Sequence, residues 1–175
     1  MFDGWGCVLG MLWEGHDPRG RRVFLIGAGG AGSAIAFAVA EAGARALTIR
    51  DVDEERGQAL ANAVGALVPA CETRFGNGDP TGHDIIINAT PLGMQAADPF
   101  PVDPALLPVG STVVDVITQP DPTRLCQAAL SRGCRIQGGR AMHEGQAVYA
   151  ARFLGLDYWP AGRPKIDLPA PQRRG

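Results

Sequence analysis

The sequence predicts an α/β domain: a doubly wound parallel sheet in three layers, α/β/α. Three observations carry that prediction. The runs "RVFLIG" (22–27), "DIIINAT" (84–90) and "TVVDVI" (112–117) have apolar centres, as strands buried on both faces do. Segments of helical period separate the strands, so strand and helix alternate. A glycine-rich turn joins the first of these strands to the helix after it.

The elements follow in order. Trp5, Val8, Leu9, Leu12 and Trp13 recur at i, i+3, i+4, i+7 and i+8, one face of a short helix that Asp3 is placed to cap. "GHDPRG" (15–20) is a loop. After the strand at 22–27 comes an Ala-rich helix over 31–43, ended by Gly43, then a second strand "ALTIR" (46–50). A helix over 53–64 ends at Gly65, with a weak strand near 67–71. Five prolines make 91–108 mostly loop. A helix over 122–132, ended by Gly133, leads to a short strand "CRIQ" (134–137) and a last helix over about 140–154. The domains expected are a linker helix and loop (1–20), a Rossmann-type domain with its closing helix (21–157) and an extended or mobile tail (158–175).

Composition narrows the function. The 175 residues are 46% hydrophobic and 19% charged, as in a globular protein, and suffice for one domain with a sizeable core. A net charge of −2 offers no basic surface for nucleic acid or anionic lipid. No apolar run is long enough to cross a membrane, and "MFDGWGCVLG" lacks the features of an export signal, so a cytoplasmic location is the expectation. Cys7, Cys71, Cys126 and Cys134 have neither C-x-x-C nor zinc-finger spacing, and no metal is expected.

Gly27-Ala28-Gly29-Gly30-Ala31-Gly32 spells G-x-G-x-x-G between a strand and a helix, with an acid, Asp51, closing the next strand. In that setting the string points to a dinucleotide. Gly27 permits the tight turn, Gly29 lets backbone approach a pyrophosphate, and Gly32 lets helix and strand pack closely. The helix N-terminus presents N–H groups and a positive dipole end to the phosphates. Asp51 would accept hydrogen bonds from the adenine-ribose hydroxyls and repel a 2′-phosphate, which favours NAD over NADP. Arg50 is the only cation expected nearby, and strand alternation points it to the opposite face. Asp53 reads as the cap of the following helix.

Further motifs follow in order: "NATPLGM" (88–94), "DVITQP" with "PTRL" (115–125), and "GGRAMHEGQ" (138–146). Over residues 2–155 the chain resembles the shikimate dehydrogenase family, which includes the quinate/shikimate dehydrogenases. The resemblance implies an NAD(P)-dependent oxidoreductase of the shikimate pathway. It would transfer a hydride at the 3-position of shikimate/3-dehydroshikimate or quinate. It further implies that Gly27 to Gly32 form the phosphate loop, and that Asp51, Val52 and Asp53 replace an Asn-Arg-Thr/Ser triplet that holds the 2′-phosphate. Asn88, Ala89 and Thr90 would line the nicotinamide-ribose side, Gly139 and Met142 flank the nicotinamide, and Gln146 contact substrate. The family's Tyr after "D-V-x" is Thr118 here, and its Leu after Met is His143, read as a helix-surface or cleft-edge residue.

Asp3-Gly4 matches the family's "N-T-D-G", and the resemblance implies that Asp3 is the catalytic partner of a Lys and binds substrate hydroxyls, although capping is the role expected of it here. The family's Lys lies in an N-terminal substrate domain, and Lys165, the one Lys of the chain, matches nothing. The expectation is therefore a polypeptide that binds cofactor and turns substrate over poorly. Its first helix, lacking a second partner, would expose apolar surface for self-association or for a missing substrate domain. Two other readings stand: a non-catalytic nucleotide-binding module, and a Rossmann dehydrogenase for another small alcohol.

Overall fold

The computed structural model describes residues 2–167. In chain order the elements are α1 (Phe2–Trp13), β1 (Arg22–Ile26), α2 (Gly30–Glu41), β2 (Ala46–Arg50), α3 (Glu54–Leu67), β3 (Glu72–Phe75), β4 (Ile85–Asn88), β5 (Thr112–Asp115), α4 (Arg124–Ser131), β6 (Arg135–Gln137) and α5 (Gly139–Phe153), with a 3-10 turn at Pro104–Leu106. The six strands lie in the order β3-β2-β1-β4-β5-β6, and every pairing is parallel. The chain builds outward from β1 to β3, then returns to the other side of β1 at β4. Between β1 and β4 successive connections diverge, and the strands' C-terminal ends open a crevice there.

Strand alternation divides the core between the two faces. Leu25, Ile49, Ile87 and Val114 meet α1, α2, α3 and α5 through Met11, Ile35, Val64 and Met142. Phe24, Ile86 and Val113 face the other way onto Leu107 and the α4 residues Leu125 and Ala129. All four cysteines are free and buried, as small apolar side chains. No helix among the described residues is long and apolar enough to cross a membrane.

Four expectations need correction. Asp3 does not cap α1: the helix already includes Phe2, and Asp3 lies inside its first turn. Gly65 does not end α3, which runs on to Leu67; glycine lowers helix propensity without forcing a stop. The strand expected at 67–71 lies at Glu72–Phe75, a half-exposed edge strand with no apolar run to mark it. Nor is α1 without partners. It packs on α5 and α2, its Trp5 lies 6.2 Å from Tyr149, and its Trp13 lies 5.8 Å from Trp159 in the C-terminal segment. Residues 158–167 hold neither helix nor strand, yet Trp13 Nε1 donates to the Pro164 carbonyl, and Arg163 pairs with Glu14 and Glu144.

Candidate dinucleotide and substrate site

The glycine turn is built as its sequence requires. Gly27 has φ +102°, a left-handed conformation that glycine adopts without strain. At Gly32 a Cβ would stand 2.0 Å from the Gly27 carbonyl oxygen, so α2 can seat against β1 only with hydrogen there. Around Gly29 and Gly30 a Cβ would meet nothing within 4 Å: this stretch of backbone is open to an incoming group. No side chain caps α2, which leaves its first N–H groups for a ligand.

Asp51 closes β2 and is 5% exposed. One carboxylate oxygen accepts from Ala28 N–H at 2.6 Å, fastening the end of β2 to the glycine turn. The other accepts from Asp53 N–H at 2.8 Å and from Arg56 Nη2 at 2.6 Å. Burial pushes this carboxyl up, but the Arg56 hydrogen bond, the two backbone N–H groups and the Arg56 charge together hold it below the usual carboxylate range. Asp53 caps α3 as expected, accepting from Arg56 N–H. Val52 is 87% exposed beside it.

The cation arrangement differs from the one expected. Arg56, in the first turn of α3, reaches back to Asp51, a contact between residues five apart that strand alternation does not show. Arg50 makes no contact with the Asp51 carboxylate among the described residues. Its guanidinium donates to the Asp51 carbonyl and lies 5.8 Å from the centre of the Phe75 ring.

Beside the glycine turn, at the C-terminal ends of β4 and β5, lies an open cavity of about 480 Å³. Ala89, Thr90, Met94, Ile117 and Thr118 line it. Asn88 is fully buried and turned inward. Its amide donates to the Leu92 carbonyl and to Asp115 Oδ1, while its own oxygen accepts from Thr90 N–H and Thr90 Oγ1. Asp115 also accepts from Ile117 N–H and from Thr123 Oγ1 at 2.8 Å. Burial raises the Asp115 carboxyl above its ordinary value despite these donors. The network ties together the two loops that form the cavity.

The closing motif splits. Gly139 must be glycine, because a Cβ would lie 2.4 Å from the Val116 carbonyl oxygen. Met142 is 5% exposed and packs in the core, whereas Met94, which no periodicity singles out, is 54% exposed at the cavity. Asp3 and Gln146 meet: Gln146 Nε2 donates to Asp3 Oδ1 at 2.6 Å, across 143 residues of sequence. His143 is exposed on α5, and among the described residues no three His, Cys, Asp or Glu side chains group as metal ligands.

A parallel sheet reversing at β1/β4, with an uncapped glycine turn at that crevice and an acid locked to it from β2, defines a Rossmann-type α/β domain. No protein-family model matches the chain. Among curated relatives, a shikimate dehydrogenase (NADP(+)) of Pseudarthrobacter chlorophenolicus is 39% identical over 166 residues, 91% of this chain and 56% of that one. Among solved structures, quinate dehydrogenase of Corynebacterium glutamicum in complex with NAD superposes with a TM-score of 0.78 at 34% identity, over 88% of this chain and 57% of that one. The ligand-free 5-ketofructose reductase of Gluconobacter sp. strain CHM43 superposes with a TM-score of 0.78 at 36% identity, over 89% and 58%. The chain thus spans a little over half the length of the proteins it matches, and over that part it belongs to the shikimate/quinate dehydrogenase family.

Proposed function

We propose that this chain is the cofactor-binding part of an oxidoreductase that moves a hydride between NAD and the 3-position of shikimate/3-dehydroshikimate, or of quinate. The observation that carries the reading is Asp51, locked to the glycine turn where a dinucleotide's adenine ribose would lie. The residues fit such a cofactor: the open backbone at Gly29 and Gly30 and the uncapped start of α2 would hold its pyrophosphate. When bound, the nicotinamide supplies the hydride acceptor or donor. Ala89, Thr90, Met94 and Ile117 would wall its ring side and exclude water. Asn88 and Gly139 would act on that pocket by positioning its loops, and Met142 from the core behind them.

Asp51 favours NAD because its carboxylate would repel a 2′-phosphate, and Val52 offers no charge to hold one. Arg50 and Arg56 oppose that repulsion, so the preference rests on Arg56 being engaged by Asp51. The Asp3–Gln146 pair would meet the substrate's hydroxyl groups. Hydride transfer also needs a group to exchange the hydroxyl proton, and the family's Lys has no match among these residues. The 175-residue polypeptide is therefore expected to bind NAD while turning over shikimate and quinate very slowly.

Calorimetry comparing NAD with NADP, joined to an NADH-formation assay, checks this. Tighter binding of NADP would overturn the cofactor assignment, and brisk shikimate-dependent NADH formation would overturn the catalytic one. A second reading has its own support. Thr118 lines the cavity where the family carries Tyr, and the 5-ketofructose reductase is as similar in fold as the quinate enzyme. A different small polyol or ketone would then be the substrate, and a panel of such compounds distinguishes the two.

A further inference from the structure

A second cavity, of about 330 Å³, lies at the opposite end of the sheet, where the loops enter β1, β4, β5 and β6. Its volume is at the lower end of small-molecule sites. The dinucleotide reading makes no use of it. Two guanidinium groups line it, Arg21 at the start of β1 and Arg135 at the start of β6. Neither has a side-chain hydrogen bond or an ion pair within the described residues, in contrast to Arg56, Arg140 and Arg163. The two carboxylates of the lining are already engaged: Asp84 accepts from Arg22 N–H at 2.8 Å and Asp17 from Arg19 N–H at 2.9 Å. His83 is likewise held, between the Pro80 carbonyl and Thr48 Oγ1.

We propose that this cavity binds a small doubly charged oxyanion, a phosphate or a dicarboxylate, between Arg21 and Arg135. Guanidinium forks match such oxygen pairs, and the two arginines enter the lining from different strands, Arg21 just before β1 and Arg135 at the start of β6. The Ser111 hydroxyl, whose hydrogen bond among the described residues is a long one to Cys134 Sγ at 3.6 Å, adds a neutral donor to the lining.

His16, also in the lining, makes the proposal measurable. Burial lowers its imidazole below the ordinary histidine value, the Arg135 charge lowers it further, and the Ile136 carbonyl and Glu14 partly oppose them. An anion on Arg135 would offset that repulsion, so His16 would titrate higher when the site is filled. By linkage, the His16 contribution to binding grows as pH falls and is lost as pH rises through the bound-state His16 pKa, while protonation of the oxyanion itself acts the other way. Arg21, Asp17 and Asp84 are the other charged groups on the lining, and His83, whose imidazole burial lowers below the ordinary histidine value, is its second titratable ring.

The test is an NMR titration of the three histidines of the 175-residue chain with inorganic phosphate, malonate and, as ionic-strength control, chloride. A saturable rise in the His16 pKa with phosphate or malonate, leaving exposed His143 unmoved, supports the site. So does a loss of affinity of about tenfold or more in Arg135→Gln and in Arg21→Gln. Phosphate alone acting, or malonate alone, tells which oxyanion the site prefers. NADH binding, read by fluorescence, should be unchanged in both variants and certifies their fold. The proposal is overturned if chloride gives the same shift, if His143 moves equally, or if both variants retain phosphate and malonate affinity while binding NADH.

Discussion

At the scale of single residues, what could be read was what backbone geometry enforces. Gly27 and Gly32 are legible because a turn of that shape excludes other side chains whatever surrounds it. Asp51 is legible because it ends a strand. Arg56 is not, since its partner is set by how the first turn of α3 folds back over β2. Met142 and Met94 changed places for a similar reason, as burial depends on which neighbours arrive from elsewhere in the chain. Asp115 is the sharpest case. Nothing in "DVITQP" announces that its first residue will sit fully buried, accepting from Asn88, Ile117 and Thr123. Asp115→Ala would strand three donors in the interior and should destabilise the chain by about 3 kcal/mol or more by urea denaturation. Asp115→Asn keeps the shape and one acceptor and removes a buried charge, so it should cost clearly less than the alanine variant. Equal losses in the two would mean that the carboxylate's packing, not its hydrogen bonds, holds the loops.

Elements were legible in kind and order, less so in extent. The buried strands announced themselves by apolar runs, whereas the edge strand β3, half exposed, has no such run. Gly65 was read as a stop, though a helix on a roomy surface tolerates glycine at a cost of only about 1 kcal/mol. What periodicity did not reveal is how α1 meets α5. Its apolar residues were visible, but the approach depends on its glycines: a Cβ on Gly6 would lie 2.7 Å from Gln146 N, and one on Gly145 2.4 Å from the Gly6 carbonyl oxygen. This closeness lets Asp3 and Gln146 share a hydrogen bond. Gly145→Ala should force the helices apart and cost about 1–3 kcal/mol, measured by urea denaturation. NAD affinity should survive, because the glycine turn and Asp51 belong to other elements. Loss of NAD binding in a variant that remains folded would show that α5 sets the cofactor site as well.

At the scale of the whole molecule, the two ends of the sheet carry different chemistry, and the two ends of the described chain are fastened to each other. The first could be read in part, since α/β sheets place ligands beyond the strands' C-terminal ends. The second could not: Arg163 reaches Glu14 across 149 residues, and no local pattern records such a contact. One guanidinium there joins Glu14 on α1 to Glu144 on α5 while lying 5.1 Å from the centre of the Trp13 ring. For Glu144 burial acts upward, but the Arg163 and Arg140 hydrogen bonds outweigh it and keep the carboxyl ionised below its usual range. Two ion pairs and a stacking contact therefore meet on one partly buried side chain, which makes it worth more than an isolated surface pair. Arg163→Gln should lower stability by about 1 kcal/mol at low salt. The charge contribution is screened as salt rises, because the ionic atmosphere shrinks to about 3 Å at 1 M, while the contact with Trp13 is not. Urea denaturation of both proteins at low and high salt separates the two contributions. A gap that narrows with salt assigns the fastening to the ion pairs, and one that stays constant assigns it to the arginine packed on Trp13.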